Sequence, residues 1–267
     1  MSLETSIEQS AGFGSHDNLF LGSQTNNYYT GMSPEQAVDF AMDLFWKNFP
    51  KLQATAEEVA RKRVEEFCKD TVKKLQRDGS NNYPTLADPG VQYVLVDTQK
   101  SYARYGEKEM LDTLTELVYT RVKHNDDFIL KVTIDKALSI VNMITAVQLD
   151  LLSLMFICTR VKFSGITTLK DLCEHFDYLE EKFGHVDTMS IQYLNMLGCM
   201  QITLPDPVEQ YANTYGFDRD DVDNVCPDFI RDLSNDYGLS FVGIVLGIIN
   251  AELKTDLRFN MKTWIHV

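Results

Sequence analysis

The sequence predicts an all-α protein, built as a multi-helix bundle or a solenoid-like stack of helices. Beyond Gly31, apolar residues recur mostly at spacings of three and four, the period of an amphipathic helix. Helix-capping patterns begin several of these segments, for example Thr145 followed by Gln148. Sustained apolar-polar alternation, which would predict strands, is limited to short stretches near the two ends of the chain.

The first two predicted helices lie on either side of Pro50. Ser33 can cap the first helix, Pro34 suits its first position, and Gln36 completes a capping box. Proline lacks an N–H donor, so we expect Pro50 to end or kink this helix. The second helix is predicted from about residue 52 to 77. Several acidic residues in this range stand four positions before a basic one, an arrangement that stabilises helices.

The remaining elements follow from caps, breakers and periodicity. Helices are predicted at about 89–105, 107–124, 126–141, 145–162, 169–183, 189–197, 208–215 and 239–253. Residues 78–88 predict a loop, residues 218–223 a loop or frayed turn, and residues 258–267 a terminal β-strand or extended arm. The residues expected to be buried are Phe67, Leu75, Tyr102, Leu151, Leu154 and Phe156.

Composition divides the chain into a leader, residues 1–31, and a helical domain, residues 32–267, with a candidate sub-boundary near 78–88. The leader has no lysine or arginine and is rich in Asn, Gln, Ser and Gly. Such a segment cannot order itself alone, but amide and aromatic side chains pair in stacked β-assemblies. We therefore expect homo-oligomerisation through five leader side chains. These are Leu19, Phe20, Leu21, Tyr28 and Tyr29.

The net charge of −14 argues against nucleic acid and anionic lipid as partners. Half of this charge lies in residues 205–236, which contain nine acidic residues and two arginines. The basic cluster at residues 61–63 is interleaved with acids, which is typical of a solvated helix face. Apolar runs fall short of the roughly 20 residues of a membrane span, and the amino terminus lacks a signal-peptide pattern, so we expect a cytoplasmic protein that is off the membrane at rest.

Catalytic and metal-binding motifs are absent from the sequence, so we expect no catalytic residues, no metal and no cofactor. Cys173 and His175 are two apart on a predicted helix and point about 200° away from each other. The histidines show no pairing four residues apart, and the acidic stretch at 218–223 lacks the glycine and glutamate of a calcium loop. The five scattered cysteines are expected to be reduced and structural.

Several segments together resemble an uncharacterised bacterial family of all-helical proteins with a short Asn/Gly-rich leader. They are N-N-Y-Y-T-G-M-S-P-E-Q-A (26–37), W-K-N-F-P-K-L (46–52), the stretch Asp88–Gly106 and the terminal T-W-I-H-V. The resemblance implies an all-helical fold and supplies no catalytic residues. Similar leaders precede domains of bacterial antiviral defence proteins, which by analogy implies an assembly or signalling role.

Three classes of function remain open at the level of sequence. The favoured one is a non-enzymatic assembling protein, a scaffold, sensor or effector of bacterial antiviral defence, whose partner is itself and whose helical body can recognise another protein. The second is a hydrolytic enzyme that uses dispersed carboxylates. The third is a membrane-acting effector that exposes residues 239–249 after activation. The dispersed carboxylates are Asp88, Asp97, Asp112 and Asp135.

Overall fold

The computed structural model describes residues 33–77, 83–184, 189–202, 206–233 and 237–265. Within these ranges the chain forms eleven α-helices, three short 3-10 helices and one two-stranded antiparallel sheet. The all-α prediction is therefore confirmed.

Most helices lie where the sequence predicts them. The helices are α1 (Pro34–Arg77), α2 (Pro89–Tyr105), α3 (Lys108–Lys123), α4 (Phe128–Ile140), α5 (Ala146–Arg160), α6 (Leu169–Phe183), α7 (Met189–Met196), α8 (Pro207–Tyr215), α9 (Arg219–Val225), α10 (Asp228–Arg231) and α11 (Phe241–Lys254). The strands are β1 (Met200–Ile202) and β2 (Tyr237–Leu239), with Met200 opposite Leu239. The 3-10 helices are Tyr83–Ala87, Val141–Met143 and Met261–Thr263.

Contacts divide the chain into two units, one up to Glu58 and one from Val59 onward. In the first unit, the described residues all belong to the amino-terminal part of α1. The second unit contains the remainder of α1 and every other described element.

Helix α1 does not end at Pro50, so the expectation of two separate helices is wrong. Proline removes one N–H donor from the ladder, which leaves the carbonyl of Trp46 without its usual partner. Every side chain around Pro50 is exposed, so water can reach and satisfy that carbonyl. Good helix formers on both sides then carry the helix through the proline.

The predicted caps are present and fix the helix starts. Thr145 and Gln148 form both halves of a capping box at α5. Thr168 accepts from the backbone N–H of Asp171 and starts α6, whose last residue precedes Gly184. Local hydrogen bonding of this kind involves residues only three apart, which is why sequence predicted these boundaries well.

Three local expectations are wrong. Residues 219–225 form helix α9 rather than a loop, because Asp218 caps it and acids suit the positive end of a helix. The described sheet lies at β1 and β2, where strands of three residues are too short to show alternation. Instead of a strand, the described carboxy-terminal residues contain the 3-10 helix Met261–Thr263.

The core lies between α5 and α11, with the carboxy-terminal segment packed beside them. Ser153 donates to the carbonyl of Gly247 at 3.0 Å, and the rings of Phe259 and Trp264 meet Phe156 edge-on. The six residues expected in the core are all buried, which confirms that prediction. Gly247 lies inside this packed interface and Gly243 lies against the carbonyl of Cys199, so their spacing marks close approach within the core.

In the part of the chain that the structure describes, no helix combines the length and apolar character needed to cross a lipid bilayer. The apolar residues in the middle of α11 are buried in the core, including Ile244, Leu246 and Ile249, whereas Phe241 and Leu253 near its ends are exposed.

Candidate functional site

The leader side chains predicted to mediate assembly lie outside the described residues. They are Leu19, Phe20, Leu21, Tyr28 and Tyr29. The described chain begins immediately after the leader with the amino-terminal part of α1, and this helix has an exposed apolar surface of its own.

From Ala41 to Glu58, every residue of α1 is exposed. Helices of soluble proteins normally bury their apolar face against a neighbour, yet this one leaves large apolar side chains in solvent. Trp46 is 58% exposed, Leu52 57% and Phe45 45%. Exposed apolar surfaces of this kind are typical of sites that contact another protein or a ligand.

The apolar residues of this helix follow a seven-residue repeat. Val38, Met42, Phe45, Phe49 and Leu52 are spaced by four, three, four and three, and all five are exposed. This spacing forms a narrow stripe, which we call the α1 stripe. Such a stripe is the seam used by coiled coils, in which two helices pack side by side. Pro50 lies outside the stripe, so it does not obstruct a partner helix.

Aromatic rings cluster at the centre of the α1 stripe. The ring centroids of Phe45 and Trp46 are 5.4 Å apart, those of Phe45 and Phe49 5.3 Å, and those of Trp46 and Phe49 5.6 Å. Aromatic residues at the middle of an interface contribute a large share of binding energy, because each buries much apolar area at a small entropic cost.

Charges on this helix segment are ordered along its axis. Asp39 and Asp43 lie toward its amino-terminal end, and Lys47 and Lys51 lie toward its carboxy-terminal end. At 100° per residue, Asp43, Lys47 and Lys51 are on the face opposite the α1 stripe, which leaves the stripe itself uncharged.

The carboxylates considered for hydrolysis do not come together around a cavity. Asp88 caps α2 by accepting from Val91 N–H at 3.1 Å, and this bond holds its pKa below the ordinary value. Asp135 accepts from Arg121 Nε at 2.5 Å, and Asp88 also lies in the field of Arg121. Asp97 is exposed on α2, and Asp112 lines a separate groove.

Arg121 is the centre of a buried polar cluster. Its guanidinium is 2% exposed and also donates from Nη1 to Asn125 Oδ1 at 2.6 Å. The cluster joins the start of α2, the end of α3 and the middle of α4, so two of the four carboxylates hold helices together through one cation.

An open groove of about 890 Å³ lies in the second unit, between the carboxy-terminal half of α1, α3, the end of α11 and residues 258–261. Four carboxylates and four Lys or Arg side chains line it, so its charge is balanced although the chain carries −14. No sequence signal marks this groove, because its walls come from distant parts of the chain.

His175 and Cys173 share helix α6 but point in different directions, as their spacing predicts. His175 Nε2 lies 3.3 Å from Tyr211 Oη and packs against the ring of Phe163. Burial lowers the pKa of His175 to about 4, and burial raises the pKa of the neighbouring Cys158 thiol to about 12. Both groups are therefore neutral at physiological pH, and this thiol is not a nucleophile.

We expect His175 to make folding stability depend on pH. Its pKa is lowered from 6.5 to about 4 in the folded state, so the unfolded chain binds more protons between these values. The stability contribution is complete above pH 6.5, falls as pH decreases toward about 4, and is constant below that. The slope reaches at most about 1.4 kcal/mol per pH unit. Urea unfolding of wild type and His175→Gln across this range measures it; equal slopes would contradict the assignment.

The described residues contain no group of three or more His, Cys, Asp or Glu side chains arranged to hold a metal ion. All five cysteines are free thiols. The basic cluster on α1 takes part in internal contacts: Arg63 donates to the carbonyls of Ala103 and Arg104, and Arg61 pairs with Glu65 at 2.6 Å.

Residues 31–235 match the model of an uncharacterised protein family. Neither a curated protein nor a solved structure matches the chain.

Proposed function

The chain belongs to the uncharacterised family whose model it matches, and we propose that it is a non-enzymatic, self-assembling helical protein. The observation that carries the proposal is the α1 stripe, an exposed seven-residue repeat with an aromatic centre. Two copies of the chain pair through this stripe.

The helix itself supplies the first reason for a partner. A helical segment without tertiary packing is marginal in water, because propensity alone barely offsets the cost of nucleation. The first half of α1 exposes its whole circumference from Ala41 to Glu58. A partner that covers the α1 stripe would stabilise this segment by removing Phe45, Phe49 and Leu52 from water.

The repeat itself favours a second copy of the chain as the partner. A seam of apolar residues spaced by four and three fits the same seam on a second helix, because each side chain packs between residues of the facing helix.

The leader is proposed to extend this assembly, and the assembly to serve as scaffold, sensor or effector in bacterial antiviral defence. The support for this is the composition of residues 1–31 and the resemblance of such leaders to those of defence proteins. The absence of Lys and Arg from the leader suits a stack of identical segments, in which like charges would repel.

Light scattering coupled to size exclusion tests the α1 stripe. We expect the Phe45→Asp/Phe49→Asp variant to have a lower molar mass in solution than the wild-type protein, because burying two aspartates in the seam is costly. Tyr93→Asp is the matched control, since Tyr93 is 72% exposed on α2 and lies outside the stripe. An unchanged mass in the Phe45→Asp/Phe49→Asp chain, across a range of concentrations, would refute pairing through α1.

Deleting residues 1–31 tests the leader separately. We expect a lower oligomeric state with the helical body still folded, and Phe20→Lys should repeat the effect of the deletion. The physical reason is that the leader has too little apolar area to fold alone but can pair with copies of itself. If both changes leave the mass at the wild-type value while the α1 changes lower it, assembly depends on α1 alone.

A further inference from the structure

Two opposite charges line the open groove of the second unit without forming an ion pair with each other. Lys123 lies at the end of α3 and Glu252 near the end of α11, and both line the groove. Within the described chain, neither side chain has an ion-pair partner. The other charged groups around them are engaged. Lys74 pairs with Glu116, Lys73 pairs with Asp70 at 2.8 Å, and Arg258 donates to three backbone carbonyls.

Lys123 and Glu252 are each held in place by the protein. The Lys123 ammonium lies 5.6 Å from the centre of the Tyr119 ring, and Lys74 lies 5.7 Å from the same ring. Glu252 Oε1 accepts from the N–H of Phe259 at 2.6 Å. These contacts fix a positive and a negative group on different walls of one groove before any ligand arrives, which lowers the ordering cost of binding.

The field in the groove supports the same description. Burial raises the pKa of Glu252, and Glu116 raises it further, while Arg258 and Lys123 lower it. Burial lowers the pKa of the adjacent His124, and Lys262 and Lys123 lower it further, while Asp126 and Asp127 raise it. Glu252 and Lys123 place a carboxylate and an ammonium on different walls of the groove.

We propose that this groove binds a small zwitterion, with the ligand's ammonium on Glu252 and its carboxylate on Lys123. Neither charge alone would be favoured, because the lining has four acids and four bases. A ligand that carries both charges, separated by a short chain, satisfies both protein groups at once. Tyr119, Phe259 and Met261 also line the groove and can contact the methylene groups between the two charges.

A series of ω-amino acids provides a ruler for the test. Glycine, β-alanine, 4-aminobutyrate, 5-aminopentanoate and 6-aminohexanoate carry the same two charges at increasing separation. Isothermal titration of the full chain should show strongest binding at one chain length. Pentylamine and pentanoate, which each carry one of the charges, should bind at least about tenfold more weakly, since each loses one charged hydrogen bond.

Matched variants assign the binding to the two side chains. Lys123→Gln and Glu252→Gln should each weaken the best member of the series by about tenfold or more. Lys170→Gln, which changes an exposed lysine on α6, should leave binding unchanged. Lys123 is exposed, so its variant is expected to fold even if Glu252→Gln does not, and Lys123→Arg should retain binding.

The proposal is overturned by any of three results. The first is no binding by any member of the series at concentrations on the order of 10 mM. The second is binding of pentylamine or pentanoate as tight as that of the zwitterions. The third is equal binding by Lys123→Gln and the wild-type chain, which would place the ligand elsewhere.

Discussion

Gly243→Ala is expected to destabilise the protein by at least about 3 kcal/mol, although alanine is the better helix former. A Cβ at this position in α11 would lie 2.1 Å from the carbonyl oxygen of Cys199 and 3.1 Å from Cδ2 of Leu239. The nearer atom belongs to the backbone, so it cannot move aside as a flexible side chain would. The helix would have to withdraw from β1, which opens the core at its base.

Steric clash and helix propensity act in opposite directions at Gly243. Replacing glycine by alanine inside a helix stabilises the fold by about 1 kcal/mol where there is free space, so a loss of stability would be due to the clash. Gly165→Ala is the control, because nothing lies within 4 Å of its added Cβ. Urea unfolding of both chains measures the difference. A Gly243→Ala chain as stable as the wild type would mean that α11 lies farther from Cys199.

Gly247 has the same role one turn later in α11. Its added Cβ would lie 2.6 Å from the carbonyl oxygen of Leu152 in α5, and Ser153 donates to the carbonyl of Gly247 itself. The four-residue spacing of the two glycines therefore lets α11 approach two different backbones at once. From the sequence, this spacing predicts close packing of the helix, but it does not identify Cys199 and Leu152 as the residues that the helix contacts.

The parts of the fold that sequence predicted well are those set by neighbours in the chain. Thr145 and Thr168 cap helices through bonds to residues three positions away, so their effect is visible in a short window. Pro50 misled the prediction because the rule that proline ends helices assumes that the freed carbonyl has no other partner. In an exposed helix, water supplies that partner, and exposure is not visible in the sequence.

The parts that sequence could not predict depend on distant pairing. Strand β1 pairs with β2, and the groove brings Lys123 beside Glu252 from helices far apart in the chain. The α1 stripe is different, because its seven-residue spacing is present in the sequence at Val38–Leu52. What sequence did not reveal is that these five side chains are exposed, which is the observation on which the proposed pairing rests.

Arg121→Met is expected to cost about 3 kcal/mol of folding stability. The change removes the cation that Asp135 and Asn125 bind, and it leaves Asp88 without a nearby positive charge. Breaking a buried pair by removing one partner costs about 3–5 kcal/mol. The lower value applies here because the Asp135 side chain is 35% exposed and can regain water. Urea unfolding at neutral pH gives the measurement.

The same cluster separates a structural role from a catalytic one for Asp88 and Asp135. If they hold helices together through Arg121, the double change Arg121→Met/Asp135→Leu should cost less than the sum of the single changes, because no unpaired carboxylate remains. Asp135→Asn alone should cost less than Arg121→Met, since the guanidinium keeps Asn125. Strict additivity together with an Arg121→Met chain of wild-type stability would remove the structural account. The two carboxylates would then be free for the hydrolytic chemistry that their residue type allows.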